Sequence, residues 1–449
     1  VLQLTLIVSS PALSQEMDLV GFNPHAISMG GVQAAADGDY TAAFYNPALL
    51  HGATVGVGYI YEQPFFNETT LGTPTFGNVS VHRLTDAEGY TFGFSVPIGG
   101  VVHDWVTLGF GGYIPSEGLY SAKLIDDGSG VFYRDENAPD QFQLFAAVSL
   151  RPFSWVSIGA GAQVFGNVGG SNNFIAELGP STPTPVNGNI LSSYLVSNTS
   201  GAAAPVVGIA LGPLYGVRLY GNWRGQASAS YTEPIAVTLN PAGIGNLAVN
   251  VKGTYHFTPD EVAVGVSWEL LHGRLLLALD VDYEAWSEAP PPLAFIGVGL
   301  PPALSLAYDA TINQQSLCVA PPSSSSKCSA TNVGFNDIVY PRFGAEWRAT
   351  DRLDVRAGYV FQPTMVPHQV AAPLANAILL DSDTHVISVG AGYAFNDPLR
   401  LANRLVLEAA LQLAIATPRT YDQDNSVGKL TYQTSGVTFA APISVRYQF

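Results

Sequence analysis

Apolar and polar residues alternate with a period of two along much of this chain. In 403–416, Leu405, Leu407, Ala409, Leu411, Leu413 and Ile415 share one face, and Arg404, Glu408 and Gln412 share the other. Those polar positions are also spaced by four, which leaves an amphipathic helix open there, but alternation accounts for more of the residues. Residues 273–284 set Leu275, Leu277, Leu279, Val281 and Tyr283 against Arg274, Asp280, Asp282 and Glu284. Segments 155–165, 352–361 and 443–449 repeat the pattern. Each run approaches the roughly 9–11 residues of a tilted membrane-spanning strand. A soluble sandwich also alternates, but with shorter strands and a more charged outer face.

The connections alternate between short and long. Residues 151–154, 211–214, 271–273 and 349–351 read as tight turns, and 115–140, 167–203, 232–249, 287–336, 362–383 and 418–430 as long loops. Short turns on one rim and long loops on the other mark a membrane barrel. Strands near 55–62, 78–97, 105–114, 141–150, 155–166, 204–212, 214–231, 250–270, 273–286, 337–348, 352–361, 384–396, 403–417 and 431–449 give 14, an even number. The expected fold is all-β, a transmembrane antiparallel β-barrel. Pro259 and the polar stretch Thr85–Glu88 fit poorly inside continuous strands. Trp105, Trp155, Trp223, Trp286 and Trp347 fall at strand ends and read as interfacial girdles.

Composition narrows the choice. Only 12% of the 449 residues are charged, against about 25% in soluble domains, while 47% are hydrophobic and 11% aromatic. That excludes wholesale disorder. Eighteen Lys+Arg against 35 Asp+Glu leave a net charge of −17, which argues against nucleic acid. No stretch of about 18 uninterrupted apolar residues follows the N-terminus, so the remaining way to cross a membrane is a closed barrel. Residues 1–14 end in a small-x-small pattern, Ala12-Leu13-Ser14, and read as the remnant of a secretory signal. Cys318 and Cys328, in a Pro/Ser-rich stretch, suit a disulfide closing a small loop or two free thiols. No second Cys or His pair sits near them for zinc, and no cofactor is implied.

Residues 15–54 do not read as a membrane strand. They carry Gly21-Phe22-Asn23-Pro24, Met29-Gly30-Gly31 and Asn46-Pro47-Ala48, small residues and turn formers that suit a compact plug of short helical turns inside a barrel of 55–449. With these motifs the chain resembles the outer-membrane transporters of the FadL/TodX type, whose N-terminal hatch has a small-residue MGG stretch followed by an Asn-Pro-Ala turn. Tyr283-Glu284-Ala285-Trp286-Ser287, the stretch Asp337–Phe361 followed by Val366-Pro367, and His385–Phe395 extend the resemblance along the barrel.

The resemblance implies a hatch-plugged barrel of 14 strands in the outer membrane of a Gram-negative cell, among its lipid and lipopolysaccharide. It implies capture of hydrophobic small molecules, fatty acids or hydrocarbons, by external loops, and lateral release where the third strand kinks. Here that strand holds Gly109, Gly111, Gly112 and Pro115, which permit a bend or are simply those of an ordinary glycine-rich strand. Phe449, closing an alternating strand, resembles the signal read by the barrel assembly machinery.

Phe174, Leu178, Leu191, Tyr194, Leu195, Ile235 and Leu239 are capture candidates in the long loops, or pack loop on loop. By alternation Arg218, Arg224, Arg342 and Arg356 point into the lumen, to meet a carboxylate or to pair with Asp280, Asp282, Glu346 and Asp354. The loop side of the fifth strand, 165–169, lacks the basic residue of fatty-acid transporters, which tilts the substrate towards neutral or aromatic hydrocarbons. No G-x-S-x-G or histidine cluster points to catalysis. A diffusion porin, a structural barrel and a lipid-modifying enzyme are the alternatives, and a hatch argues against an open porin.

Overall fold

The computed structural model describes residues 21–71, 79–83, 87–98, 105–116, 130–131, 142–166, 171–178, 189–196, 198–199, 201–239, 245–289, 293–299, 334–370, 378–379, 381–396, 404–425 and 428–449. Cys318 and Cys328 lie outside them, as do residues 1–20.

Among the described residues, fourteen antiparallel strands close into one barrel. They are β1 (Thr54–Leu71), β2 (Val79–Arg83 with Ala87–Pro97), β3 (Val106–Pro115), β4 (Phe142–Phe153), β5 (Val156–Gly166), β6 (Ala202–Leu214) and β7 (Val217–Arg224). Then follow β8 (Glu261–Leu270), β9 (Leu275–Glu284), β10 (Ile338–Arg348), β11 (Leu353–Gln362), β12 (Thr384–Asn396), β13 (Arg404–Asn425) and β14 (Gly428–Ala440 with Ile443–Gln448). Each pairs with its sequence neighbours, and β14 returns to β1 through Thr54↔Gln448 to Tyr59↔Ile443. Closure matters because lipid offers no hydrogen-bond partner to an unpaired strand edge.

The alternation becomes inside and outside. Along β6, Ala202, Ala204, Val206 and Ala210 are buried while Val207, Ile209 and Leu211 are exposed. On β9, Leu277, Leu279, Val281 and Tyr283 face outward, and Asp280, Asp282 and Glu284 are buried in the lumen. On β13, Leu407, Leu411, Leu413 and Ile415 face outward, and Glu408 and Gln412 inward. His385 stacks on the outward Tyr359, whose hydroxyl lies 2.9 Å from its Nδ1.

Trp105, Trp155, Trp223 and Trp347 are exposed, consistent with girdles, but Trp286 is not. It is buried against Phe257, and its indole donates to Glu284 at 2.5 Å. Beside it Asp337 accepts from Tyr283 Oη at 2.8 Å and Ser287 N at 2.9 Å. The Tyr-x-x-Trp-Ser motif thus ties the end of β9 to the start of β10.

The long loops are corrected more substantially. Residues 171–178, 189–196, 227–239, 245–258 and 293–299 are strands of a separate six-stranded sheet, completed by Asn198–Thr199. Phe174 (opposite Ser193), Leu178 (Asn189), Leu191 (Ala176), Tyr194 (Asn173), Leu195 (Asn172), Ile235 (Leu195) and Leu239 (Gly245) therefore occupy strands, not loops. The break between barrel and sheet is local. Pro259 and Asp260 separate β8 from the strand before it, because proline donates nothing to a ladder. Opposite them, Asp260 Oδ1 accepts from Gln226 N at 3.0 Å. β1 and β13 also run past their expected ends, to Leu71 and Asn425. Their polar ends pair with β14, through Thr69↔Gln433 and Asp422↔Thr431. Hydrophobic alternation does not register such pairing.

The N-terminal segment fills the barrel with four short turns: α1 (Pro24–Ser28), a 3₁₀ turn Gln33–Ala36, α2 (Ala42–Tyr45) and a 3₁₀ turn Pro47–Leu49. Asn23 caps α1 by accepting from Ala26 N at 3.0 Å, with Pro24 at the first helical position. At its other end, Gly30 N donates to Ile27 O at 3.1 Å and Gly31 N to Ala26 O at 2.8 Å. This is a Schellman closure, and the +69° φ of Gly30 is why glycine stands there. Asn46 caps the last turn by accepting from Ala48 N at 3.0 Å.

The wall gives way where these turns touch it. A Cβ on Gly358 of β11 would lie 2.1 Å from Gly30 N, and one on Gly344 of β10 2.7 Å from Met29 O. A Cβ on Gly159 of β5 would lie 2.3 Å from the Pro47 carbonyl carbon, and one on Gly208 of β6 1.9 Å from Asn46 Oδ1. The hatch therefore rests on bare backbone. Gly358→Val is expected to unseat it at a cost of about 1–3 kcal/mol while the barrel folds. Steady ion conductance across planar bilayers should rise above wild type, with heat-modifiable mobility retained; unchanged conductance would place the seat elsewhere.

Candidate functional site

The hatch meets the wall with two different faces. Towards β3 and β4 it is aromatic. Phe22 lies edge-on to Phe145 at 4.6 Å and stacks on Phe44 at 5.6 Å, while Phe44 lies 5.7 Å from Phe145. A Cβ on Gly111 would strike the Phe145 ring at 2.6 Å, and one on Gly109 would strike Leu50 at 2.8 Å. Through Gly109, Gly111 and Gly112, β3 stays paired on both sides, to β2 from Pro97↔Thr107 to Gly89↔Pro115 and to β4 from Val106↔Leu150 to Tyr113↔Gln143. These glycines make room for the hatch and Phe145, within an unbroken ladder.

Towards β7–β14 the hatch is held by charge and hydrogen bonds. Asp39 pairs with Arg446, whose Nη2 lies 3.3 Å from Glu408. Arg356 bridges Glu346 at 2.6 Å and Glu408 at 3.1 Å, with Asp354 at 4.0 Å, and His25 Nε2 lies 2.8 Å from Glu346. Arg218 pairs with Asp37, which also meets His51 at 3.0 Å. Arg224 pairs with Glu261 at 2.8 Å and lies over the Phe44 ring at 5.0 Å. Arg342 pairs with Asp282, reaches Gly30 O at 3.3 Å and Tyr340 Oη at 2.9 Å. All of Arg218, Arg224, Arg342 and Arg356 thus face carboxylates, three of them hatch or hatch-contacting partners rather than open lumen.

Short helices end in carbonyls that need donors, and the wall supplies them. Phe44 O accepts from Gln163 at 3.1 Å and Arg224 at 3.2 Å, and Tyr45 O from Asn222 at 2.9 Å. Asn46 donates to Gly221 O at 3.1 Å and to Gln33 at 2.7 Å. Above, Met365 and Val366 are fully buried, and Thr364 donates to Asp381 at 2.7 Å, so the Pro367 turn folds inward.

Between hatch and wall lies a narrow cleft of about 30 Å³, room for one or two water-sized groups. Gly30, Gly31, Gln33 and Phe44 line it from the hatch, and Asn222, Arg224, Glu261, Asp280, Asp282 and Arg342 from the wall. Asp280 is satisfied by Gln33 N at 2.8 Å and Tyr220 Oη at 2.8 Å. Sequence reasoning singled out the arginines, but not His25, Asp39, Arg446 or Glu261. Arg446 stands on the polar face of the last strand, which was the available signal; its partner lies 407 positions away.

Two comparisons bear on this arrangement. A family model described as outer membrane protein transport protein (OMPP1/FadL/TodX) matches residues 212–449. The chain belongs to this family. It is an outer-membrane transport protein. A Pseudomonas aeruginosa FadL homologue shares its fold with a TM-score of 0.61 and 15% identity, over 98% of this chain and 99% of that one. The toluene transporter TodX of P. putida aligns with a TM-score of 0.56 and 12% identity, over 96% and 99%. The monoaromatic hydrocarbon channel CymD gives 0.53 and 15%, over 96% and 98%. No curated protein matches.

Two outcomes follow from the charged face. Burial works to raise the Asp37 carboxyl, but the hydrogen bond and charge of His51, with Arg218, outweigh it and hold it down at about 2. A depressed carboxyl stabilises the folded state above its unfolded pKa of about 4. Its contribution is complete above that value and lost as pH falls towards 2. Asp37 keeps 30% of its side-chain surface, so solvent screens the pair and the effect is modest. Hatch release, read as conductance, should rise between pH 4 and 2 in wild type and lose that component in Asp37→Asn. Separately, Arg356→Met removes the cation shared by Glu346 and Glu408, leaving them His25 and Arg446, and urea unfolding should show a loss of about 1–3 kcal/mol.

Proposed function

We propose that this outer-membrane protein imports hydrophobic small molecules by passive diffusion, with residues 15–54 acting as a hatch within a barrel of 55–449. The observation that carries the reading is the seated hatch. Among the described residues it leaves a narrow cleft beside it, which suits neither a general diffusion pore nor free passage of ions. Apolar solutes partition poorly into water and are held off by the polar lipopolysaccharide surface, so a sheltered route avoids both barriers. The named relatives that carry toluene and monoaromatic hydrocarbons support a small, neutral, apolar cargo. Pairing of the lumen arginines with carboxylates points the same way.

The external sheet, with Phe174, Leu178, Leu191, Tyr194, Leu195, Ile235 and Leu239, is the proposed capture surface. The proposed exit is the wall at Gly109–Pro115. Two features support it. Among the described residues, the hatch is bound to β7–β14 by charge and to β3 and β4 by aromatic and aliphatic contact, so the β3 side can part without breaking those ion pairs. Among the described residues, β3 pairs with β4 as far as Tyr113, while Ile114 and Pro115 pair with β2 alone. Phe449, exposed at the end of β14, is the proposed signal for the barrel assembly machinery.

The test is uptake of labelled toluene and of a labelled long-chain fatty acid by a Gram-negative host lacking its own transporter, with the folded barrel confirmed in the outer membrane. Uptake of either above the empty vector is expected, toluene more than the fatty acid. Gly111→Leu should reduce uptake several-fold without impairing assembly; unchanged uptake would move the exit away from β3. Deleting residues 15–54 should convert a silent barrel into a conducting one. A wild-type protein that conducts steadily like a porin would overturn the reading.

A further inference from the structure

The cleft between hatch and wall is chemically specific. Its two guanidinium groups are committed, Arg224 to Glu261 and Arg342 to Asp282. Three lining carboxylates, Glu261, Asp280 and Asp282, stand against those two cations, so the formal balance is negative. Among the buried polar atoms on its lining residues, Asp282 Oδ1, Asn222 Oδ1 and Gln33 Nε2 have no hydrogen-bond partner in the protein. The exposures of these residues are 3%, 5% and 4%. Their other atoms are fixed. Asp282 Oδ2 accepts from Arg342, Asn222 Nδ2 donates to Tyr45 O and Gln33 Oε1 accepts from Asn46. Those bonds set the orientation of both amides, so of these three atoms two are acceptors and one is a donor.

We infer that this cleft selects apolar molecules bearing a hydroxyl group, alcohols or phenols, over those bearing a carboxylate. A hydroxyl both donates and accepts, which answers one open acceptor and the open donor together. Burying a polar atom without a partner is costly, and supplying the partner recovers that cost. A carboxylate only accepts, and it adds negative charge where carboxylates already outnumber cations. Size agrees. The cleft of about 30 Å³ takes a hydroxyl but not a chain, so the apolar body stays outside it, beside Phe44 and Val360. The inference rests on the import reading and narrows its substrate class.

The test uses the full-length protein in lipid nanodiscs, with protein-free nanodiscs subtracted. Equilibrium binding of radiolabelled 1-dodecanol, dodecanoate and dodecane compares three heads on one chain length. Dodecanol is expected to bind about tenfold more tightly than either of the others. Asp282→Asn removes the open carboxylate and leaves Arg342 without its anion. It should abolish the dodecanol preference and improve dodecanoate binding. If that variant fails to fold, Gln33→Met, which removes the open donor, should lower dodecanol affinity several-fold while dodecane is unaffected. Equal binding of the three ligands to the wild type, or tightest binding of dodecanoate, would overturn the head-group inference and leave import standing. Failure of all three to bind, with no uptake of toluene in cells, would overturn the import reading itself.

Discussion

A membrane barrel must keep its strand ladder complete, because lipid cannot satisfy a backbone group that the ladder drops. A plug inside such a barrel must therefore be held without loosening any strand. Here the wall meets that demand by removing side chains. Gly159, Gly208, Gly344 and Gly358 lie beneath the two tightest turns of the hatch, and their backbones touch Pro47, Asn46, Met29 and Gly30 at distances no Cβ would allow. The turn motifs of the hatch and the glycines of the wall form one interface. The hatch keeps its own glycines and Asn-Pro for turn geometry, and the wall keeps its glycines for proximity.

Upon that seat the rest is arranged asymmetrically. Ion pairs and side-chain hydrogen bonds gather on β5–β14, while aromatic rings meet β3 and β4. Buried ion pairs offer little net stability against an apolar replacement, but they are costly to break singly. They suit an attachment that must not slide. Aromatic contacts lose energy gradually as rings shift and leave no stranded charge. One side of the hatch is thus an anchor and the other a yielding face, and both are built from side chains on rigid strands.

Much of the fold was legible because a barrel strand writes itself as alternation. On β9 the outward Leu277, Leu279 and Val281 and the inward Asp280 and Asp282 were assigned to their faces from period alone. The N-terminal turns were legible through Asn46-Pro47 and Met29-Gly30-Gly31, whose chemistry is local. What was not legible is pairing. The six-stranded sheet reads as loop in the sequence because residues 171–178 and 189–196, which pair with each other, carry no clean alternation. Trp286 looked like its neighbours at strand ends, and only the position of Glu284 and Phe257 in space turns it inward. The anchoring of the hatch was invisible for the same reason: His25 and Glu346, or Asp39 and Arg446, have no sequence relation.

The pair Asp39–Arg446 also orders events in time. Arg446 lies on the second half of β14, the same segment that closes the barrel against β1 through Thr54↔Gln448. The hatch leaves the synthesis machinery first, yet one of its charged anchors arrives with the last strand. Contacts of such sequence separation form late, since the intervening chain must be confined before they can be made. Closing the β1–β14 seam therefore also brings the hatch its Arg446 partner, after strands β5, β7 and β10 have supplied theirs.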